Sequence, residues 1–397
     1  MKKLKILLAL FVLCGCQSAP TEPDEVTDPV VKEETPPENQ DVVVHFSGVG
    51  DNLIHDSIYR DADRLAGEMN DGLYDFLPMY EDVKDEIEKS DLAFINQETI
   101  LGGDELGLSG YPTFNSPQCL AEQLPAFGFN MINHATNHAL DKWETGVNNA
   151  ISFWRQQSGI VMAGIYDSWE DRAEVRVIEK NGIRFSFLAY TYGTNGIESY
   201  AGYAIPYFDE TAIREDVARA KEVSDVVIVS AHWGNENQFE PNEFEYEYAQ
   251  LFADLGVDVV IGTHPHVIQP VTWVTGASGN NTLVVYSLGN FIGGMLDMYN
   301  NLSGMISFDF VKKADTEKIT VENVKWIPLV SHYEGDANDI MNTRLNFKVY
   351  KLKNYTDELA SQHGLNGYEG QVVTKEAFSA RTHEVIGNII PIEERCV

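Results

Sequence analysis

Short apolar, β-branched runs recur along this chain at 42–49, 92–95, 131–132, 161–163, 185–190, 226–230, 257–261 and 282–286. Runs of this length and composition fit strands covered on both faces. Between several of them, 80–89, 143–156, 210–223 and 244–255 have helical spacing. Strand–helix–strand alternation predicts an α/β fold with parallel pairing. Farther along, the runs 271–275, 282–286, 305–311 and 319–327 are joined by short turn-rich links, which predict antiparallel hairpins. A mixed two-sheet sandwich flanked by helices, layered α/β/β/α, accommodates both halves. The main domain is expected over 42–334. The more polar stretch 335–397 is expected to be an extension, helical in part and packed on that domain. There is no internal repeat.

The first residues read as export machinery. Three lysines precede an apolar run at 6–13, too short for the roughly 20 residues that span a bilayer. A basic start, a short apolar run and small residues near its end predict a signal peptide over 1–15. Leu13-Cys14-Gly15-Cys16 resembles a bacterial lipobox with Cys16 as the lipidated residue; ordinary cleavage near Ala19 is the alternative. Segment 16–41 is rich in Pro and acid, without hydrophobic period, so it is expected to be a disordered tether reaching roughly 75 Å. The expected location is therefore the extracytoplasmic face of the membrane, with the membrane itself a partner through the lipid. Past the signal and the lipobox, Cys119 and Cys396 remain, and an exported chain permits a bridge between them. A formal charge of −33 argues against nucleic acid, which needs a basic surface.

The chemistry-bearing residues follow the apolar runs, where α/β folds place ligand sites. The first run leads to Gly50-Asp51, with His55 beyond. The second leads to Asn96-Gln97-Glu98, and the third to His134 and then Asn137-His138, with Asp141 after them. The run ending at Ser230 leads to His232-Trp233-Gly234, and that ending at Ile261 to Gly262-Thr263-His264-Pro265-His266. Tyr286 is followed by Ser287-Leu288-Gly289-Asn290. His264 and His266, two apart after a strand, are expected to share a face, with Pro265 biasing His264 towards extended backbone. Singly, each residue has an ordinary explanation: a turn aspartate, a helix-capping asparagine, a structural histidine at His134, a core tryptophan at Trp233. Together, carboxylate, imidazole and amide donors suit zinc, manganese or iron, and a bridging carboxylate between histidines can hold two ions close together.

These stretches resemble the poly-γ-glutamate capsule biosynthesis family of CapA type. The matching segments are Gly50-Asp51, Asn96-Gln97-Glu98, Asn137 to Asp141, His232 to Glu236, Gly262 to Val267 and Tyr286 to Phe291, in order along most of the folded chain. That family is similar in turn to calcineurin-like metallophosphoesterases, which implies a metallophosphatase-like two-sheet sandwich with a two-metal centre at the strand ends. The resemblance implies Asp51 and Glu98 as metal carboxylates, with Asn137, His232, His264 and His266 completing the shell. It implies His138 as the group facing the leaving group, with Asp141 orienting it or capping its helix. His55, Asn96 and Asn290 are candidates for supporting these ligands. The chain departs from the metallophosphatase pattern in its first motif. There Asp and His stand two apart, whereas His55 is four beyond Asp51, and Glu98 replaces the usual Asp.

Two functions are compatible with this reading. One is a lipid-anchored hydrolase using two divalent transition ions (Mn, Zn or Fe) on a phosphoester, with γ-linked glutamate amides open to the same chemistry. The other is a non-catalytic component of a capsule synthesis or export complex, in which metal bridges the acidic protein to an anionic capsule polymer. Membrane synthesis or export proteins are candidate partners in either case. Tyr190, Tyr192, Trp233 and Phe239 are candidates for a substrate cleft or for core packing.

Overall fold

The structure, a computed structural model, describes residues 40–394. The signal peptide, Cys16, the tether up to residue 39 and Cys396 lie outside the described residues. Thirteen strands are described: β1 Val42–Asp51, β2 Leu92–Asn96, β3 Met131–Asn133, β4 Val161–Ala163, β5 Arg176–Lys180, β6 Ile183–Thr191, β7 Val226–His232, β8 Val259–Thr263, β9 Val271–Thr275, β10 Asn281–Val285, β11 Leu302–Lys312, β12 Ile319–Glu334 and β13 Leu345–Lys351. They form a seven-stranded sheet in the order β13-β12-β11-β1-β2-β3-β4 and a six-stranded sheet in the order β5-β6-β7-β8-β10-β9. Strands β1 to β4 are mutually parallel, as are β6, β7, β8 and β10. The α/β expectation of two sheets flanked by helices is met.

Strand alternation sorts the side chains into two layers. On β6 and β7, Phe185, Phe187, Val226 and Ile228 join the core shared with the other sheet, where Phe187 meets Phe94 and Phe185 meets Phe310 at ring-centroid distances of 6.0 and 5.0 Å. Their neighbours Leu188, Tyr190, Val227 and Val229 face the opposite way, against Ile213, Val217 and Phe252 of two outer helices. Those helices have readable ends. Asp209 caps Glu210–Val223 by accepting from the Ala212 N–H at 2.8 Å. Asn242 and Glu245 make a reciprocal capping box on Glu243–Leu255, which stops at Gly256 in the left-handed region.

The predicted hairpins hold for β9 with β10 and for β11 with β12. The link from β10 to β11 instead changes sheets: β10 lies beside β8, whereas β11 lies beside β1. Two strands go beyond the predicted runs. β5 has little apolar alternation and borrows its order from its longer neighbour β6, whereas β13 alternates Leu345, Phe347 and Val349 with polar residues beside β12, a strand period inside a stretch expected to be helical in part. The predicted helix 80–89 is broken into short pieces around Glu81–Val83. Beyond residue 335, β13 extends the larger sheet, and Trp326 of β12 receives Pro391 and Ile392.

Candidate metal centre

Parallel strands deliver their C-terminal ends to one side of each sheet, and here the two sides meet. Asp51 ends β1, Asn96 ends β2, Asn133 ends β3 and His232 ends β7. The junction is tight: the Asp51 N–H donates to Gly289 O at 2.9 Å. A Cβ on Gly50 would stand 1.8 Å from that same carbonyl, so only glycine permits the approach.

Around Asp51 the polar groups form a chain. Asn133 Nδ2 donates to Asn96 Oδ1 at 2.7 Å, and Asn96 Nδ2 donates to Asp51 Oδ1 at 2.7 Å. The other oxygen, Asp51 Oδ2, lies 3.2 Å from His266 Nδ1, which is also 3.0 Å from Asn290 Oδ1. Two acceptors on Nδ1 place its proton there and free Nε2, which lies 3.7 Å from Glu98 Oε1. Burial alone would push His266 down, but the charges of Glu98 and Asp51 outweigh it and hold the imidazole up at about 10. Burial, and then repulsion from Asp51, push the Glu98 carboxyl well above its ordinary range, so in the metal-free cluster Glu98 and His266 compete for one proton.

Glu98 is the least satisfied group in this neighbourhood. It is fully buried, and neither carboxylate oxygen has a hydrogen-bond partner. His264 Nδ1 is likewise buried and unpartnered. Donor atoms of Glu98, His264 and His266 all lie within 4.8 Å of one another. Beside them, His232 Nε2 and Asn137 Oδ1 stand 2.9 Å apart, while Thr263 Oγ1 holds His232 Nδ1 at 2.9 Å. Two ligands each about 2.1 Å from one ion stand about 3 Å apart when their bonds are near right angles. Burial keeps His232 and His264 well below the ordinary imidazole range, so both are neutral and ready to donate a lone pair. Orphaned oxygens, neutral imidazoles and an amide oxygen at this spacing fit divalent transition metal.

His138 stands beside this cluster. Its Nδ1 lies 2.7 Å from Asp141 Oδ2, which also accepts the Phe114 N–H at 2.7 Å. The Phe114 ring packs edge-on against His138 at 4.6 Å and against His55 at 5.4 Å. His55 itself is turned to backbone: its Nδ1 is 3.1 Å from both Gly294 N and Leu53 O. His134 accepts from Trp154 Nε1 at 2.7 Å in the core, a structural role. Tyr190 and Trp233 are also core residues, and Phe239 packs on Tyr299. Tyr192 alone of the four aromatic candidates reaches the cluster, its ring 4.5 Å from that of His264.

The approach of His264 and His266 has a different cause from strand alternation. β8 ends at Thr263, and both histidines adopt positive φ, +99° and +58°. A left-handed turn aims them, against the bias expected from Pro265, and such backbone in non-glycine residues is held only by its surroundings. Thr263 and Asn195 were not singled out by the sequence. Asn195 Oδ1 lies 3.3 Å from Asn137 Nδ2, but its loop carries no motif. Thr263 lay within a quoted motif, and its place at a strand end was the available signal.

The model of the family described as bacterial capsule synthesis protein PGA_cap matches residues 45–295. The PGA biosynthesis protein CapA of Bacillus subtilis (strain 168) is 31% identical over 174 residues, 43% of this chain and 44% of that protein. The capsule biosynthesis protein CapA of Bacillus anthracis is 25% identical over 171 residues, 42% of this chain and 40% of that protein. The chain thus spans less than half the length of these two relatives. A solved structure described as a novel phosphatase from Mycoplasma pneumoniae is similar at 14% identity and a TM-score of 0.44, covering 73% of this chain and 95% of that one.

Proposed function

This chain belongs to the bacterial capsule synthesis protein family PGA_cap, and from that premise we propose that it is a lipid-anchored, metal-dependent hydrolase of capsule or poly-γ-glutamate biosynthesis, working at the outer face of the membrane. The observation that carries the reading is Glu98, a buried carboxylate with both oxygens unpartnered beside two histidines. A group of that kind is costly unless it is protonated or holds a cation. In this proposal Asp51, Glu98, Asn137, His232, His264 and His266 hold two divalent ions of the Mn, Zn or Fe class. When bound, such ions polarise a phosphoryl or acyl oxygen and lower the pKa of coordinated water.

The chain's own residues supply orientation and protons. Asp51 and Asn290 hold His266 through Nδ1, so its Nε2 faces Glu98. Asp141 holds His138 through Nδ1 and leaves Nε2 free, and it is the imidazolium form that would give the Nε2 proton to a leaving group. Phe114 covers one side of that imidazole and limits its rotation. The substrate is a phosphoester, with γ-glutamyl amide as the other bond open to the same groups, and Cys16 carries the lipid. Membrane synthesis or export proteins are the proposed partners.

The test is metal analysis of the purified chain beside a His264→Ala/His266→Ala variant and a His138→Ala variant, with turnover of phosphomonoesters, phosphodiesters and γ-glutamyl amides read in the same samples. The reading expects about two ions per chain, lost with turnover in the double variant. His138→Ala should keep its metal and lose roughly 10²- to 10⁴-fold in rate. Metal without turnover on any bond would move the assignment to a non-catalytic, metal-bridged polymer-binding component. A chain that binds no metal after reconstitution refutes the centre.

A further inference from the structure

Every described arginine except one has a carboxylate partner. Arg60, Arg64, Arg155, Arg172, Arg176, Arg184, Arg214, Arg219 and Arg381 all sit in salt bridges. Arg344 has none among the described residues, although it is only 9% exposed. In a chain of net charge −33, partners are plentiful, so an unpaired buried guanidinium is conspicuous. Its Nη1 donates to Gly294 O, its Nη2 faces Met341 Sδ at 3.9 Å, and its Nε has no partner. The nearby Asp56 carboxylate is taken up by Arg60 at 2.9 Å.

A second orphan lies at the same place. Ser57, 2% exposed, has an unpartnered hydroxyl. The point where a Gly294 Cβ would stand is 3.1 Å from Arg344 Nη1, 3.1 Å from Ser57 Oγ and 3.3 Å from His55 Cβ. Gly294 has no positive φ that would require glycine. Any side chain there would press within about 3 Å of both groups, so glycine is what lets the guanidinium and the hydroxyl come together at one corner. The corner adjoins the candidate centre, because the Phe114 ring packs on both His55, at 5.4 Å, and His138, at 4.6 Å. Arg344 itself lies outside the 45–295 stretch that matches the family.

We propose that Arg344 and Ser57, walled by His55 and Gly294, form an oxyanion subsite that receives a carboxylate or phosphate group of the substrate beside the metal centre. The guanidinium supplies charge and paired donors suited to either group, and the serine hydroxyl adds a donor. The word substrate rests on the hydrolase reading; the binding of an oxyanion does not.

The test uses the full chain stripped of metal by chelation, so that neither turnover nor metal binding enters. Inorganic phosphate and γ-glutamylglutamate are titrated separately by calorimetry into wild type, Arg344→Met, Arg344→Lys and Ser57→Ala. Wild type should bind at least one probe saturably. Arg344→Met should weaken that binding by about tenfold or more, and Ser57→Ala by roughly two- to tenfold. If Arg344→Met fails to fold, Arg344→Lys and Ser57→Ala decide, because both keep the local volume close to native. Binding of phosphate alone identifies a phosphoester group as the occupant, and binding of γ-glutamylglutamate alone identifies a polymer carboxylate. No binding of either probe by wild type, or equal binding by the folded variants, overturns the subsite. Neither result bears on whether the stripped centre, once reloaded, is a hydrolase.

Discussion

Glu98→Met should reverse the usual sign of a core substitution, depending on metal. In the stripped chain Glu98 is fully buried with two unpartnered oxygens. Burial is the largest influence on its carboxyl, repulsion from Asp51 comes next, and attraction to His266 at 3.7 Å ranks below both. The environment therefore disfavours its charge even after the ion pair is counted. Leaving a buried polar group unsatisfied costs about 1–3 kcal/mol, and more when it is charged. Methionine fills a similar volume without polar atoms, so the stripped variant should be as stable as wild type or up to about 3 kcal/mol more stable. With free metal near 1,000 times its dissociation constant, wild type gains about 4 kcal/mol, while the variant, missing one carboxylate ligand, gains little. The stability order should thus invert between chelator and metal. Urea unfolding of both proteins in both conditions measures it. If Glu98→Met costs several kcal/mol in chelator, as an ordinary core lesion would, Glu98 has structural partners and the ligand argument fails.

Three further outcomes follow from the same geometry. Because Asp51, Glu98 and His266 hold an extra proton among them in the stripped chain, metal must displace it; affinity should rise with pH up to about tenfold per unit for each proton displaced, through the neutral range. Competition titrations between pH 6 and 8, on the order of the ordinary histidine range, check this, and a flat profile contradicts it. Asn290→Ala removes one of two acceptors orienting His266 and should weaken metal binding roughly 10- to 100-fold with the fold intact; equal affinity would show that Asp51 suffices. Burial also holds His332 down at about 4 and His134 and His363 at about 3, the last helped by neighbouring His332. These groups are neutral when folded and protonate near 6.5 when unfolded. The stability they preserve is present above that pH and is lost as pH falls towards 4, at about 1.4 kcal/mol per pH unit for each histidine. Unfolding midpoints that stay level from pH 7 to about 4.5 would rule out their neutral burial.

Much of the candidate centre is legible in the chain because its residues follow strands. Asp51, Asn96 and His232 close apolar runs, and a parallel sheet sends all such ends to one side. Amphipathic periodicity placed the two outer helices for the same local reason, and the structure adds Asp209 and Asn242 as their caps. What escaped was set by distant partners. β5 has a weak pattern of its own and exists as the edge of a longer strand, while the alternation of β13 stood in a polar, turn-rich stretch and gained its place only beside β12. The turn that aims His264 and His266 runs against their backbone preference and depends on the packing around it. Which nitrogen of His266 points to Glu98 was decided by Asp51 and Asn290, 215 and 24 residues away. Local sequence thus determined which donors exist and at which strand ends they stand. The tertiary structure alone decided which of them meet, which oxygens are left unpartnered, and that one arginine from beyond the family match comes to rest without a carboxylate among the described residues, because burial and pairing arise only when remote segments pack together.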